Sequence, residues 1–504
     1  MGKHQNSVRM VGYAFLREHL SLPIPPVLRP AMVQPVARVV AVSDSVLGVP
    51  SSVAPDGDDV LMHVLFALKH EGTDLLVLNH ALRHVPAQRV LDELRARPTG
   101  QFIRKAGFLW EAFRGDRLEG AEPQGNYVDL FDPALYVTGP SRRDMRWRVS
   151  FNGLGHLRYA PVVRRTAAIE AMLAKDLLGQ ATAFASEIGP VLLDRALAWA
   201  YLGETESSFA IERDTLDADK ATAFAALLRQ AGEARLLDED YLVALQNSAI
   251  TNPLEHAQQF RTEQNWLRGP ARGVAGVTYV PPPPDFAFDL MQEVMSLAND
   301  SQTGKVLDPL VLAALVSFGF VFIHPFMDGN GRLSRFLIHH VLGRSGCMPK
   351  GFVLPISMAM KRNETAYLQA LQSFSTPLRA LWKVLWIDEG RYDFEWLGDD
   401  ALYRYWDATP CVEFLLTMAE QALQKDLRDE TRFLAMYDAA LRAMELRFDI
   451  RSNALATLLL GAFQNQGIVS KNRRKQFADI VPQAAFDAIE ETVRRQLTGA
   501  DVPD

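Results

Sequence analysis

The chain is poor in cysteine: Cys347 and Cys411 are the only two among 504 residues. Two thiols cannot build a disulfide framework, and their scarcity points to a reducing, cytoplasmic setting. Positive charge is short as well. A net charge of −7 leaves no broad basic footprint, which argues against a protein that coats nucleic acid. Met1-Gly2-Lys3-His4-Gln5-Asn6-Ser7 lacks the charged-then-apolar pattern of a secretory leader, and Asn6 stands where a myristoylation signal wants Ser or Thr. Long apolar runs are missing too. The best of them, Leu310 to Ile323, covers with Pro309 about 22 Å as a helix, against a hydrocarbon core of roughly 30 Å. A buried helix is expected there, and no membrane partner. With 48% hydrophobic and 22% charged residues, the chain reads as an ordinary globular protein of roughly two to four domains.

What is present is concentrated in one stretch, His324-Pro325-Phe326-Met327-Asp328-Gly329-Asn330-Gly331-Arg332-Leu333-Ser334-Arg335. Asp308-Pro309 starts the helix before it, a capping side chain followed by a proline whose missing N–H is not needed in the first turn. That helix delivers His324 to the end of a rigid rod inside the domain. Leu333, Phe336, Leu337, His340 and Val341 then fall on one helical stripe, while Arg332, Arg335 and His339 share another face. Gly329, Asn330 and Gly331 lie where the second helix begins. Glycine turns successive N–H groups inward and a helix N-terminus adds partial positive charge, so an anion nest is expected. Arg332 and Arg335 supply charged forks for phosphates, Asp328 is a hard oxygen ligand suited to Mg²⁺, and His324 is placed to deprotonate a hydroxyl. A histidine that merely caps a helix beside a turn is the plainer alternative. An EF-hand is excluded, since the regular carboxylate spacing and the closing glutamate are absent.

This stretch resembles the signature of the Fic family, His-x-Phe-x-Asp/Glu-Gly-Asn-Gly-Arg-x-x-Arg, at every defined position. The resemblance implies a mainly α protein with a Fic-type helical core that transfers AMP from ATP to a Tyr, Thr or Ser hydroxyl of a target protein. By position it makes His324 the base and Asp328 the Mg²⁺ ligand. Gly329, Asn330 and Gly331 become the phosphate cradle, and Arg332 and Arg335 the outer phosphate contacts, with Arg335 nearest the γ-phosphate. A branch that transfers the γ-phosphate carries lysine where Gly331 stands here, so the glycine favours nucleotidyl transfer. Ser208 and Glu212 resemble an inhibitory Ser/Thr-x-x-x-Glu motif, in which the glutamate occupies the γ-phosphate's arginine. Arg213 departs from the Gly or Asn that usually follows. The resemblance also implies a target-docking flap at Thr278-Tyr279-Val280, after Arg261-Thr262-Glu263-Gln264-Asn265-Trp266, and places Tyr367 near the nucleotide base. It further implies a bacterial setting.

Around this core the expected organisation is a small mixed N-terminal domain over 1–125 and a linker or hairpin over 126–165. The catalytic core, with inhibitory helix and flap, occupies 166–395, and a helical C-terminal domain 396–504. Five prolines between Leu20 and Pro35 force extended backbone, ahead of helices at Val60 to His70, Ala87 to Arg97 and Phe102 to Phe113. Tyr127 to Tyr136 and Met145 to Phe151 read as strands, and Ile169 to Leu178, Pro190 to Glu204, Ala221 to Ala231 and Glu239 to Gln246 as helices. Near the end, Lys471-Asn472-Arg473-Arg474-Lys475 predicts a short basic helix capped by Ser470. It could belong to a winged-helix or helix-turn-helix reader of DNA, though a solvated basic face is the plainer reading. The alternatives to a protein adenylyltransferase are therefore a DNA-binding regulator or toxin–antitoxin component that senses nucleotide, and a Fic enzyme that uses another donor or removes AMP. A protein substrate and a homo-oligomer are the expected partners.

Overall fold

Helix Pro309–Ile323 runs through the middle of the molecule, and its sequence explains why. Asp308 accepts the Leu310 N–H at 2.8 Å and Pro309 follows at the first helical position. The helix is apolar on all sides because helices Pro284–Asn299, Asn330–Ser345 and Thr409–Gln421 pack around it. Residues such as Phe320 and Leu315, fully buried here, each contribute about 1.5–3 kcal/mol through lost contact with water. The computed structural model describes residues 9–43, 45–233, 235–250, 252–388 and 390–498. The leader and acylation readings at Met1 to Ser7 lie outside the described residues.

The chain is mainly helical, as expected, with small sheets at its periphery. In the first segment a four-stranded sheet (Met10–Val11, Ala31–Val33, Val46–Val49, Val40–Ser43, in that spatial order) sits beside helices Val60–His70, Leu75–Arg83, Ala87–Ala96 and Gln101–Arg114. The expected strand pairing downstream is shorter than its pattern suggested. Val128–Asp129, Val149–Phe151 and Arg142–Asp144 form a three-stranded sheet. The helix expected over Ile169 to Leu178 is two, Ala167–Leu173 and Leu177–Glu187, because Asp176 turns left-handed (φ +48) and caps the second at Gly179 N.

Helix Pro190–Ile211 is longer than its pattern predicted, and the extra turns carry Ser208. Antiparallel strands Leu267–Arg268 and Val277–Tyr279 form the hairpin at the expected flap. A second hairpin, Trp382–Asp388 with Arg391–Trp396, packs aromatic side chains against it; Trp382 and Val384 share a small core with Val277 and Val280. The main apolar core extends through Leu427. A separate one involves helices Arg428–Glu445, Ser452–Gln464 and Gln483–Thr498. The basic helix Lys471–Gln476 is present, with Arg474 committed to Asp487 and Glu490 at 2.9 and 2.7 Å. Among the described residues no helix is long and apolar enough to cross a membrane.

Candidate active site

Helix Pro309–Ile323 ends because His324 takes a left-handed conformation (φ +54, ψ +60) and Pro325 cannot continue the helix. The two residues aim the chain into the Phe326 to Asn330 turn. The turn is closed by a reciprocal staple, in which Asn330 Oδ1 accepts from Phe326 N at 3.0 Å and Asn330 Nδ2 donates to Phe326 O at 2.8 Å. Asn330 therefore shapes the cradle through its side chain. Gly329, at φ +85, caps helix Asn330–Ser345 in a conformation that a side chain would strain.

The imidazole of His324 is buried. Its Nδ1 lies 3.1 Å from the carbonyl of Val321, which can only accept, so Nδ1 carries the proton and Nε2 keeps a lone pair. Burial pushes the ring's pKa down to about 4, which keeps it neutral at physiological pH. Two residues of the Arg261 to Trp266 segment hold this region in place. Arg261 donates through Nε to His324 O at 2.8 Å and through Nη1 to Glu263 O at 3.0 Å, and its Nη2 reaches Pro282 O. Asn265 Nδ2 donates to Phe326 O at 3.0 Å. Burial pushes the Arg261 pKa down to about 10, still well above neutrality.

Arg335 is 1% exposed and meets helix Pro190–Ile211 directly. Its Nε donates to Ser208 Oγ at 2.8 Å, and its Nη2 donates to Ser208 O and Glu212 Oε1, both at 2.9 Å. The Glu212 carboxylate lies on the glycine cradle itself, where a Cβ added to Gly331 would come within 2.0 Å of Oε1. A carboxylate there, at the start of a helix, is what an anion nest would hold. Arg213 takes a conformation that glycine or asparagine adopts more easily. It sits left-handed (φ +57) as the helix ends, and Asp214 N closes the cap by donating to Phe209 O at 3.1 Å.

These contacts belong to a ladder. Glu204, Ser208 and Glu212 are spaced by four along one helix, and His339, Arg335 and Gly331 by four along the antiparallel one. Glu204 is buried, accepting from His339 Nε2 at 2.7 Å, from Ser357 N at 2.7 Å and from Ser357 Oγ at 2.6 Å. Sequence reasoning missed Glu204, and also Asp214, which holds Arg332 Nη1 at 3.1 Å. Arg332 also donates to Ala249 O at 3.3 Å and to Asp328 Oδ2 at 3.3 Å, and its guanidinium lies over the Phe209 ring. Its head is thus turned into protein contacts.

Asp328 lies about half open at the rim, with 53% of its side chain exposed. Among the described residues no group of three or more His, Cys, Asp or Glu side chains could hold a metal unaided. A single accessible carboxylate fits Mg²⁺, which is bound through one or two carboxylates plus substrate phosphates. Tyr367 is buried, stacked on Phe414 at 5.6 Å, and burial pushes its hydroxyl up to about 12. In the hairpin, Thr278 faces out, while Tyr279 and Val280 are buried and the Tyr279 hydroxyl donates to Phe322 O.

Residues 236–342 match the Fic/DOC family. Protein adenylyltransferase fic-1 of Caenorhabditis elegans is 33% identical over 78 residues, covering 16% of this chain and 15% of that protein. Protein adenylyltransferase Fic of Nematostella vectensis is 29% identical over 161 residues, 31% of this chain and 34% of its own. The corresponding protein of Drosophila mojavensis is 37% identical over 98 residues, 19% of this chain and 17% of its own. The matched region thus spans about a third of these relatives' length or less, and their animal sources lend no support to a bacterial setting. Among solved structures, Fic-1 (aa134–508) from C. elegans aligns with 74% of this chain and 99% of its own, at 16% identity and a TM-score of 0.34. A Fic family protein from Desulfovibrio desulfuricans G20 aligns with 65% of this chain and 89% of its own, at 19% identity and a TM-score of 0.38.

Proposed function

Because residues 236–342 are a Fic/DOC domain, we propose that this protein is a protein adenylyltransferase that moves AMP from ATP to a Tyr, Thr or Ser hydroxyl of a target protein, and that Glu212 holds it in check. The observation that carries this reading is one carboxylate, Glu212, that bonds the buried Arg335, lies against Gly331 of the cradle and acts electrostatically on a neutral His324. In the reaction, the target hydroxyl oxygen bonds to the α-phosphorus of ATP and the bond from that phosphorus to the bridging oxygen of the β-phosphate breaks. Pyrophosphate leaves, and the hydroxyl proton passes to His324 Nε2. The triphosphate's negative charge favours the imidazolium that forms, raising the basicity that burial had depressed. The cradle N–H groups and Arg335 hold the phosphates in line. Asp328 would hold Mg²⁺, which when bound supplies charge neutralisation on those phosphates.

A glutamate in the cradle excludes a phosphate from the same place, so a productive ATP pose requires Glu212 to withdraw. Thr278, Tyr279 and Val280 act as the edge on which a target segment aligns by main-chain pairing. The test is labelling with ATP carrying the isotope at the α- or the γ-phosphate. Label is expected on protein from the α position only, and His324→Ala is expected to abolish it. Transfer from the γ position, or undiminished α labelling by His324→Ala, would overturn the reading.

A further inference from the structure

A cavity of about 290 Å³ lies away from the cradle, between the first segment and the helical core. The proline-rich stretch forms its rim with Pro25, Pro26, Val27, Leu28 and Arg29. Its inner wall is apolar and aromatic, made by Phe374, Leu378, Leu402, Tyr405 and Trp406. Phe374 stacks on Phe322 at 4.2 Å, two residues before His324.

Three carboxyl groups, Glu71, Asp74 and Asp407, line this cavity. Glu71 takes the Tyr13 N–H on Oε1 at 3.0 Å, while its Oε2 is buried and has no partner among the described residues. Asp74 commits Oδ1 to Val77 N at 3.1 Å as a helix cap. Pro377 lacks the N–H that would pair with the Ser373 carbonyl four residues back, and both residues line the cavity. Two cations are present and neither meets Glu71 Oε2. Arg164 lies 3.7 Å from Asp407, and Arg29 stands exposed at the rim.

We infer that this cavity binds a small organic cation, a primary ammonium on an apolar or aromatic body, with the ammonium at Glu71 and Asp74 and the body against Phe374, Trp406 and Tyr405. Cavities of this size suit a compact ligand, and aromatic faces add to the attraction for a cation. Charge in the site agrees. Burial pushes Glu71 up to about 8 and raises Asp74 despite the distant pull of Arg29 and Arg164, and neither arginine bonds Glu71 Oε2. The groups facing Glu71 are Tyr13, Asp74 and Arg29, and around the cavity stand His70, Arg164, Asp407, Tyr136 and Tyr405. His70 is held below its ordinary value by burial, so it does not supply the missing cation at neutral pH. An arriving ammonium lowers the Glu71 pKa; at pH 7, below its value of about 8, binding therefore releases a proton, and affinity rises from pH 6 towards 8.

The inference does not rest on the adenylyltransferase reading and is tested without ATP. Titration calorimetry of the full chain would compare 2-phenylethylamine with 2-phenylethanol and 3-phenylpropionate, in buffers of different ionisation enthalpy. The amine is expected to bind about tenfold or more tighter than the alcohol, as a charge-assisted hydrogen bond predicts, with proton release. Glu71→Gln keeps an acceptor for Tyr13 N–H and is expected to lose both the preference and the proton. Ser373→Trp, on the open face of its helix, fills the cavity and is expected to stop binding even if the first variant fails to fold. Equal binding of amine and alcohol, tighter binding of the carboxylate, proton uptake, no binding by any of the three, or unaltered binding in Ser373→Trp would each overturn the inference.

Discussion

Replacing Glu212 with glycine is expected to accelerate self-labelling, and the contacts set by how much. The carboxylate makes one charge-assisted bond to Arg335, at 2.9 Å, with the arginine 1% and the glutamate side chain 37% exposed. Such bonds are worth about 1.5–3 kcal/mol, and a pair with one member this open belongs near the lower end, about 1.5–2 kcal/mol. If ATP must displace the carboxylate to reach the cradle, that energy opposes every productive binding event. At about 1.4 kcal/mol per tenfold, Glu212→Gly should raise the initial rate at sub-saturating ATP by about 10- to 30-fold. Glu212→Gln retains an acceptor for Arg335 without the charge, roughly half the strength, so its rise should be about three- to fivefold. Initial rates of incorporation from α-labelled ATP, measured well below half-saturation, read both numbers. A Glu212→Gly rate equal to that of the unaltered chain, or a Glu212→Gln rate above that of Glu212→Gly, would refute competition for the cradle.

His324 and His340 are both pushed down to about 4 by burial, so the unfolded chain takes up their protons first as pH falls. Stability is present above the ordinary histidine value near 6.5 and is lost towards pH 4, by up to about 3 kcal/mol per residue; urea midpoints at pH 7.5 and 4.5 should show it, and His324→Asn should remove about half of the loss. Arg213→Gly relieves a left-handed side chain, so it should raise Tm, by up to about 1 kcal/mol of stability, and slow labelling by firming the cap beneath Glu212. Arg213→Val should do the reverse on both assays. Arg261→Ala leaves the carbonyls of His324, Pro282 and Glu263 without their donor, costing roughly 3 kcal/mol or more, which thermal denaturation would detect. Glu204→Ala, far from the cradle, should speed labelling by loosening the ladder, yet add nothing in a Glu212→Gly background; additive effects would mean that Glu204 acts elsewhere.

Legibility followed the range of the interactions. Helix Pro309–Ile323 was readable because its start signal and its apolar run are adjacent in the chain, and the left-handed stop at His324 is followed at once by proline. Helix Pro190–Ile211 exceeds its pattern because its last turns are polar in sequence: Glu204 and Ser208 are buried only because other helices offer them partners, while Thr205 bonds back to Tyr201 O. The hairpin Trp382–Asp388 with Arg391–Trp396 carries a local signal, aromatic and β-branched residues alternating at Trp382, Val384 and Trp386 and again at Tyr392, Phe394 and Trp396, with left-handed Gly390 between them.

At the site the same rule separates what the chain displays from what it conceals. The cradle residues lie within twelve positions, so their chemistry could be assembled by reading along. The residues that hold them could not, because Arg261, Asn265 and Asp214 act on His324, Phe326 and Arg332 from 61 to 118 positions away. Ser208 and Glu212 fall between these cases, since their spacing is local while their partner lies on another helix. With Glu204 buried against His339 and Ser357, the helix is already fixed one turn before Ser208 and two before Glu212. The half-open carboxylate therefore need not be ordered by its own single bond. It is carried to Gly331 by a helix whose anchor, Glu204, is buried where water cannot compete.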